Sequence, residues 1–196
     1  MTHNETLKKI RGEVEKYLKN KKRGKEQTGG KKYTLMMPYY GAAEIMQVVD
    51  SLLKEQITLN QNEENKVQIF EDLWKEYIGK KEGIMTNSGS SANLMALQLL
   101  TNPTVKNHLK VGDEVITPAL TWTTTVSPIW AVHCKPVFVD VDLNSFTIKT
   151  DEIEKAITPR TRAIMVVHLL GFPCDMTEIM RIAKKHKLFV IEDCCE

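Results

Sequence analysis

The chain has 196 residues, of which 42% are hydrophobic and 27% charged, as in an ordinary soluble globular protein. It holds 27 Lys and Arg against 25 Asp and Glu, and its four cysteines lack the spacing of a zinc site. No run of eighteen apolar residues and no apolar leader is present. The sequence therefore predicts a protein without a membrane span or signal peptide, located in the reducing cytoplasm.

Positive charge is concentrated near the start of the chain. Residues 1–32 carry eleven Lys and Arg against four Glu. Such an arm could attract nucleic acid or an anionic membrane surface. A run of like charges is more commonly a solvated, mobile arm, and we predict that role and no nucleic-acid partner.

The first part of the chain predicts helices joined by polar segments. Apolar residues at three- and four-residue spacing predict an amphipathic helix over residues 4–20. A glycine- and lysine-rich linker over residues 21–32 follows. A second helix is predicted over residues 43–54, a polar turn over residues 61–65, and a third helix that ends at Gly79.

From Gly83 onward, short strands alternate with helices. The pattern predicts strands at residues 84–86, 114–117, 136–139, 163–167 and 188–191, helices over 92–100 and 151–157, a loop and helix over 122–133, and a last helix beginning at Asp175. This alternation predicts an α/β fold with a mostly parallel sheet and helices on both faces. We expect residues 1–35 to form an N-terminal helix and basic linker, and residues 36–196 to form one large, incomplete domain.

The last predicted strand ends in two carboxylates, Glu192 and Asp193. In open α/β sheets, ligands bind beyond the carboxyl ends of the strands. A carboxylate in that position is costly unless it has a cation or hydrogen bonds. Asp193 could therefore face a positively charged group of a cofactor, or it could cap a helix or pair with a nearby Lys.

A small, polar turn, Ser88-Gly89-Ser90-Ser91, lies between a predicted strand and a helix. Glycine permits close backbone approach, and a helix N-terminus favours a phosphate. The alternative is plain N-capping by Ser88 or Ser90. The turn matches neither the Walker A pattern nor GxGxxG, which disfavours a Rossmann-type nucleotide site.

Two further side chains follow strand ends. Trp122 could stack on a planar cofactor or be a core or interface residue. His168 could contact substrate or cofactor, or be a structural histidine. Taken with the serine turn and Asp193, these residues suit pyridoxal phosphate, because an ionised carboxylate keeps the pyridinium nitrogen protonated and the ring an electron sink.

Several motifs resemble the DegT/DnrJ/EryC1/StrS sugar aminotransferase family, of the type I pyridoxal-phosphate fold. The resemblance covers about residues 38–196 and is carried by residues 88–94, 111–116, 136–142, 168–171 and 191–193. Within the family, Ser-Ser-Ala-Asn after Gly89 and the cysteine pair after Asp193 are similar to the CDP-4-keto-6-deoxyglucose 3-dehydrases of lipopolysaccharide biosynthesis. The loop over residues 55–62 departs from the family pattern at a place that normally lines the sugar site.

The resemblance implies a truncated αβα large domain that lacks its C-terminal half and small domain. The residues that it implies for cofactor binding are Gly89, Ser90, Ser91, Trp122, Asp193 and Glu196. His168 is a candidate catalytic group, whereas the Schiff-base Lys, or the His that replaces it in dehydrases, is expected beyond Glu196. Cys194 and Cys195 are expected to be packing residues, and no metal ligand is expected in this chain.

The implied activity is dehydration at C3 of a CDP-linked 4-keto-6-deoxy sugar, with pyridoxal or pyridoxamine 5′-phosphate as cofactor, in O-antigen dideoxysugar biosynthesis. The first alternative is a nucleotide-sugar aminotransferase. The second is an inactive fragment that serves only in folding or dimerisation. A homodimer is expected. A 2Fe–2S cluster with a flavin or iron–sulfur reductase partner is expected only if the missing half carries the dehydrase cysteines.

Overall fold

The computed structural model describes residues 2–20, 39–55 and 65–196. The chain divides into two compact units, Met1–Gly83 and Ile84–Glu196. The predicted linker over residues 21–32 and most of the segment over residues 55–65 lie outside the described residues.

The first unit contains three helices, which are α1 (His3–Asn20), α2 (Ala42–Leu53) and α3 (Lys66–Tyr77). All three predicted helices are therefore confirmed. The Asn65 side chain caps α3 by accepting a hydrogen bond from the Gln68 N–H at 3.2 Å.

The second unit contains four strands and four helices. In chain order these are α4 (Gly89–Leu100), β1 (Glu114–Pro118), α5 (Thr123–Ala131), β2 (Lys135–Val139), α6 (Thr150–Ala156), β3 (Thr161–Val167), α7 (Met176–His186) and β4 (Phe189–Asp193). The strands lie in the order β2-β1-β3-β4 and every pairing is parallel. Their carboxyl ends therefore meet at one edge of the sheet, as the sequence predicts.

Each face of the sheet has its own apolar core, because successive residues of a strand point to opposite faces. On one face Ile116, Ile164 and Val166 pack against α6 and α7. On the other face Val115 and Met165 pack with residues of α4 and α5. The prediction of helices on both faces is confirmed.

Two local predictions are wrong. Residues 84–86 are not a strand: they lie outside the four strands of the described sheet, and Ile84 and Met85 are exposed. Helix α4 begins at Gly89 rather than residue 92, because Ser88 caps it and draws the serine turn into the first helical turn. Within the described ranges, no helix is long and apolar enough to cross a membrane.

Candidate functional site

Asp193 ends β4, and its carboxylate is held by three hydrogen bonds from neutral groups. Its Oδ2 accepts from Asn93 Nδ2 at 2.8 Å and from Thr125 Oγ1 at 2.9 Å. Among the described residues, its Oδ1 accepts one hydrogen bond, from the Cys195 N–H at 3.2 Å. Helices α4 and α5 and the segment after β4 therefore converge on one carboxylate.

The Asp193 carboxyl group lies almost out of contact with solvent, since the residue is 9% exposed. Asp193 caps no helix, and among the residues that the structure describes no cationic side chain pairs with it. A buried carboxylate without a cation is costly, although hydrogen bonds reduce the cost. Each carboxylate oxygen can accept about two hydrogen bonds, so Oδ1 can accept one more. The arrangement therefore suits a cationic N–H donor from a ligand.

The serine turn divides its roles between its residues. The Ser88 hydroxyl accepts from the Ser91 N–H at 3.2 Å and donates to the Ser91 Oγ at 3.2 Å, so Ser88 is the helix cap. Gly89 and Ser90 are exposed at the start of α4. The first N–H groups of a helix have no intrahelical acceptor and carry partial positive charge, so this end of α4 suits a phosphate.

Trp122 is the residue before α5 and is 61% exposed, so its indole is open to a stacking partner. Trp122 lies three positions before Thr125, whose hydroxyl donates to Asp193. The neighbouring Thr121 hydroxyl is buried and has no hydrogen-bond partner among the described residues. Buried hydroxyls are normally paired. The Thr121 hydroxyl therefore still requires a polar partner, and the described residues supply none.

His168 follows β3, and both of its ring nitrogens are engaged. Its Nδ1 accepts from the Cys174 N–H at 3.1 Å, and its Nε2 lies 3.1 Å from Glu192 Oε2. These contacts assign the neutral tautomer with the proton on Nε2, which donates to Glu192. In this state His168 has no free nitrogen with which to accept a proton.

The donor atoms of His168, Glu192 and Cys194 lie within 4.8 Å of one another, close enough to hold a metal ion. A metal-bound histidine normally donates its second ring N–H to an acceptor. The Nδ1 of His168 instead accepts from the backbone N–H of Cys174. A metal bound to Nε2 would place the ring proton on Nδ1, and two N–H donors would then face each other. Burial, together with the charges of Glu192 and Asp193, raises the pKa of the Cys194 thiol and disfavours the thiolate that a metal needs. The cluster fits a metal poorly.

Glu196 lies beside the loop after β3. Its Oε2 accepts from the Leu170 N–H at 2.7 Å. Leu170 has a φ of 54°, in the left-handed region that is unfavourable for a branched residue. In this structure the Glu196 carboxylate stabilises that loop.

Asn93 and Thr125 were not among the predicted site residues. One signal for Asn93 exists in the sequence, since it lies four positions before Leu97 on the buried side of α4, and both residues are buried. A polar side chain on an apolar helix face requires a buried partner. The identity of that partner, one hundred positions away, is visible only in the fold.

The fold and the site define a class of protein. Residues 40–196 match the DegT/DnrJ/EryC1/StrS aminotransferase family, and the chain belongs to it. The Escherichia coli GDP-4-keto-6-deoxy-D-mannose-3-dehydratase, solved with bound hydrated PLP, superposes with a TM-score of 0.72 at 31% identity, over 82% of this chain and 40% of that one. Over the part of that structure that it covers, the chain therefore has the type I pyridoxal-phosphate transferase fold.

Two curated relatives give closer sequence matches. The dTDP-4-dehydro-2,6-dideoxy-D-glucose 3-dehydratase of Saccharopolyspora spinosa is 46% identical over 65% of this chain and 28% of its own length. The lipopolysaccharide biosynthesis protein RfbH of Salmonella typhimurium is 42% identical over 80% of this chain and 35% of its own length. The chain thus spans about a third of the length of these relatives.

Proposed function

We propose that the whole protein is an enzyme that binds pyridoxal or pyridoxamine 5′-phosphate at the carboxyl edge of this sheet. When bound, this cofactor supplies an electron sink for negative charge that develops on the substrate. The single observation that carries the proposal is the Asp193 carboxylate, which is buried, held by neutral donors and still able to accept at Oδ1.

Other groups at the same edge of the sheet would also contact the cofactor. The Gly89 and Ser90 N–H groups, with the Ser90 and Ser91 hydroxyls, would hold the phosphate at the start of α4. The exposed Trp122 indole would lie against the ring and exclude water from it. Glu196 would act by holding the loop at Leu170 beside the site.

For the reaction, we propose removal of the C3 hydroxyl from a nucleotide-linked 4-keto-6-deoxy sugar. Support comes from relatives named as 3-dehydratases, at 46% and 41% identity, and from RfbH, which is named for lipopolysaccharide biosynthesis. CDP is the nucleotide that the sequence predicts, whereas those 3-dehydratases are named for dTDP and GDP sugars. A 2Fe–2S cluster and its reductase belong to this proposal only if the remaining part of the protein carries the cysteines.

A sugar aminotransferase is the second candidate, because the matching family is described as an aminotransferase family and the chain is 34% identical, over 79% of its length, to a solved aminotransferase from Psychrobacter cryohalolentis. If this protein is an aminotransferase, the same contact between Asp193 and the cofactor would serve the transfer of an amino group. His168, whose Nε2–H points at Glu192, would then be a positioning residue rather than the proton carrier.

The test is to incubate the full-length protein and cofactor with CDP-, dTDP- and GDP-linked 4-keto-6-deoxy sugars, each with and without glutamate. With pyridoxamine 5′-phosphate as cofactor, the expected product is a 4-keto sugar in which hydrogen replaces the C3 hydroxyl, seen by mass spectrometry as the loss of one oxygen. One equivalent of the cofactor is oxidised to pyridoxal 5′-phosphate and releases ammonia, and the CDP sugar is converted fastest. A product that exchanges its keto oxygen for an amino group would establish the aminotransferase instead. Absence of both products, with a stable dimer, would leave only the folding or dimerisation role.

A further inference from the structure

Asn93 and Thr125 reach the same oxygen of Asp193 from two different helices. Asn93 is 9% exposed and Thr125 is fully buried. Both donate to Oδ2, at 2.8 and 2.9 Å. Two donors saturate the lone pairs of one carboxylate oxygen, so further donors are directed to Oδ1.

The Asn93 amide is itself fixed. Its Nδ2 also donates to the Thr124 carbonyl oxygen, at 3.2 Å. With both amide hydrogens committed to acceptors, the nitrogen rather than the oxygen of the amide faces Asp193. Because Thr124 and Thr125 are adjacent in the first turn of α5, one amide joins α4, α5 and the end of β4.

An ionised carboxylate opposite a pyridinium nitrogen keeps the proton on the ring, which the electron-sink chemistry requires. The two donors fix which oxygen of the carboxylate meets the ring nitrogen. The same pair of side chains therefore governs the orientation of the carboxylate.

We propose that Asn93 and Thr125 are positioning residues that fix the orientation of the Asp193 carboxylate and turn its Oδ1 toward the ring nitrogen of the cofactor. This inference rests on the proposed cofactor function. A purely structural role of Asn93 and Thr125 would affect only the stability of the fold. The positioning role also affects the cofactor, which can be measured separately.

The test uses the full-length protein with pyridoxal 5′-phosphate labelled with ¹⁵N at the ring nitrogen. Thr125→Val and Asn93→Leu remove the donors while nearly preserving side-chain shape. In each variant the ¹⁵N resonance should move from the protonated toward the unprotonated position. Cofactor affinity should also fall about tenfold, the effect of losing one hydrogen bond to a charged group.

Two further variants separate positioning from folding. Thr125→Ser restores the hydroxyl and should restore the wild-type ¹⁵N resonance and affinity. Thr123→Val makes the same chemical change at an exposed position two residues earlier and should leave both unchanged. Thermal melting of every variant identifies any that fail to fold, in which case the serine variant and the Asn93 variant decide the matter.

The outcomes separate this inference from the function on which it rests. Wild-type ¹⁵N resonance and affinity in folded Thr125→Val and Asn93→Leu would overturn the positioning role and leave the cofactor site intact. Failure of the wild-type protein to bind the cofactor would overturn both proposals.

Discussion

Gly89 and Cys195 bring the start of α4 against the segment that follows β4. A Cβ added to Gly89 would lie 3.5 Å from the Cys195 Sγ, which is an ordinary van der Waals contact. The protein itself therefore has room for alanine at this position. A need for glycine here would arise from a ligand that approaches the backbone closely.

Replacing Gly89 with Ala should consequently separate folding from cofactor binding. We expect an unchanged melting temperature and an affinity for pyridoxal 5′-phosphate that is lower by about tenfold, because the methyl group displaces the phosphate from its N–H donors. Gly12→Ala is the matched control, since a Cβ there meets nothing within 4 Å and lies in α1. Equal affinities in the two variants would show that no phosphate lies against Gly89.

The Glu114 carboxylate, at the amino end of β1, is buried and pairs with Arg160, whose side chain is 64% exposed. Its Oε1 accepts from Arg160 Nε at 2.9 Å and Nη2 at 2.7 Å, and its Oε2 accepts from the hydroxyls of Thr158 and Thr161. Glu114→Gln should lower the free energy of unfolding by about 1–2 kcal/mol at pH 7, because the amide loses charge-assisted hydrogen bonds while Arg160 remains in contact with solvent. Urea denaturation measures the difference, and Glu152→Gln, at an exposed pair on α6, is the control.

The effect of Glu114 should depend on pH in a definite direction. Hydrogen bonding from Thr158, and then from Arg160, lowers the pKa of Glu114 below its model-peptide value of 4.5. A carboxyl whose pKa is depressed by folding contributes stability above its unfolded pKa, and this contribution is lost as the pH falls through the folded pKa. The difference in unfolding free energy between wild type and Glu114→Gln should therefore be largest at pH 7 and decrease below about pH 4.5. A gap that is constant down to pH 3 would contradict this account.

The sequence predicts the parallel sheet and both helical layers because strand and helix periodicities are local properties. It also places Asp193 and Trp122 at one edge, since the carboxyl ends of parallel strands coincide. The serine turn follows no strand of the described sheet, so this reasoning does not extend to it. The role of Asn93 could not be predicted, because its partner lies one hundred residues away. Residues 84–86 have the composition of a strand but lie outside the four-stranded sheet of the described residues, because composition alone does not determine which segments pair.

Glu154 connects α6 to α7 through a group of cations. Hydrogen bonds from Lys185 and His186 lower its pKa to about 2. Carbon-13 NMR titration of the Glu154 carboxyl should therefore give a midpoint well below 4.5, and high salt should raise that midpoint because the pair is near the surface. A midpoint near 4.5 at low salt would exclude the ion pair.

The four cysteines should differ in reactivity toward a thiol reagent. Burial, followed by the charge of Asp113, raises the pKa of Cys134 to about 11, and burial raises that of Cys174. Both should react only after unfolding, because the thiolate is the nucleophile. Cys195 is exposed and should react first, with Cys194 slower because its pKa is raised. Mass spectrometry of tryptic peptides after a short pulse of iodoacetamide gives the order, and early labelling of Cys134 would contradict it.

The central claim is that Asp193 faces the cationic nitrogen of a pyridoxal or pyridoxamine phosphate cofactor. The most direct measurement is absorbance titration of the full-length protein and its Asp193→Asn variant with pyridoxal 5′-phosphate. Asp140→Asn is the control, since Asp140 directly follows β2 at the same edge of the sheet and its side chain is 73% exposed. We expect wild type and Asp140→Asn to bind alike, and Asp193→Asn to bind at least about tenfold more weakly. Equal binding by all three proteins would contradict the assignment of Asp193.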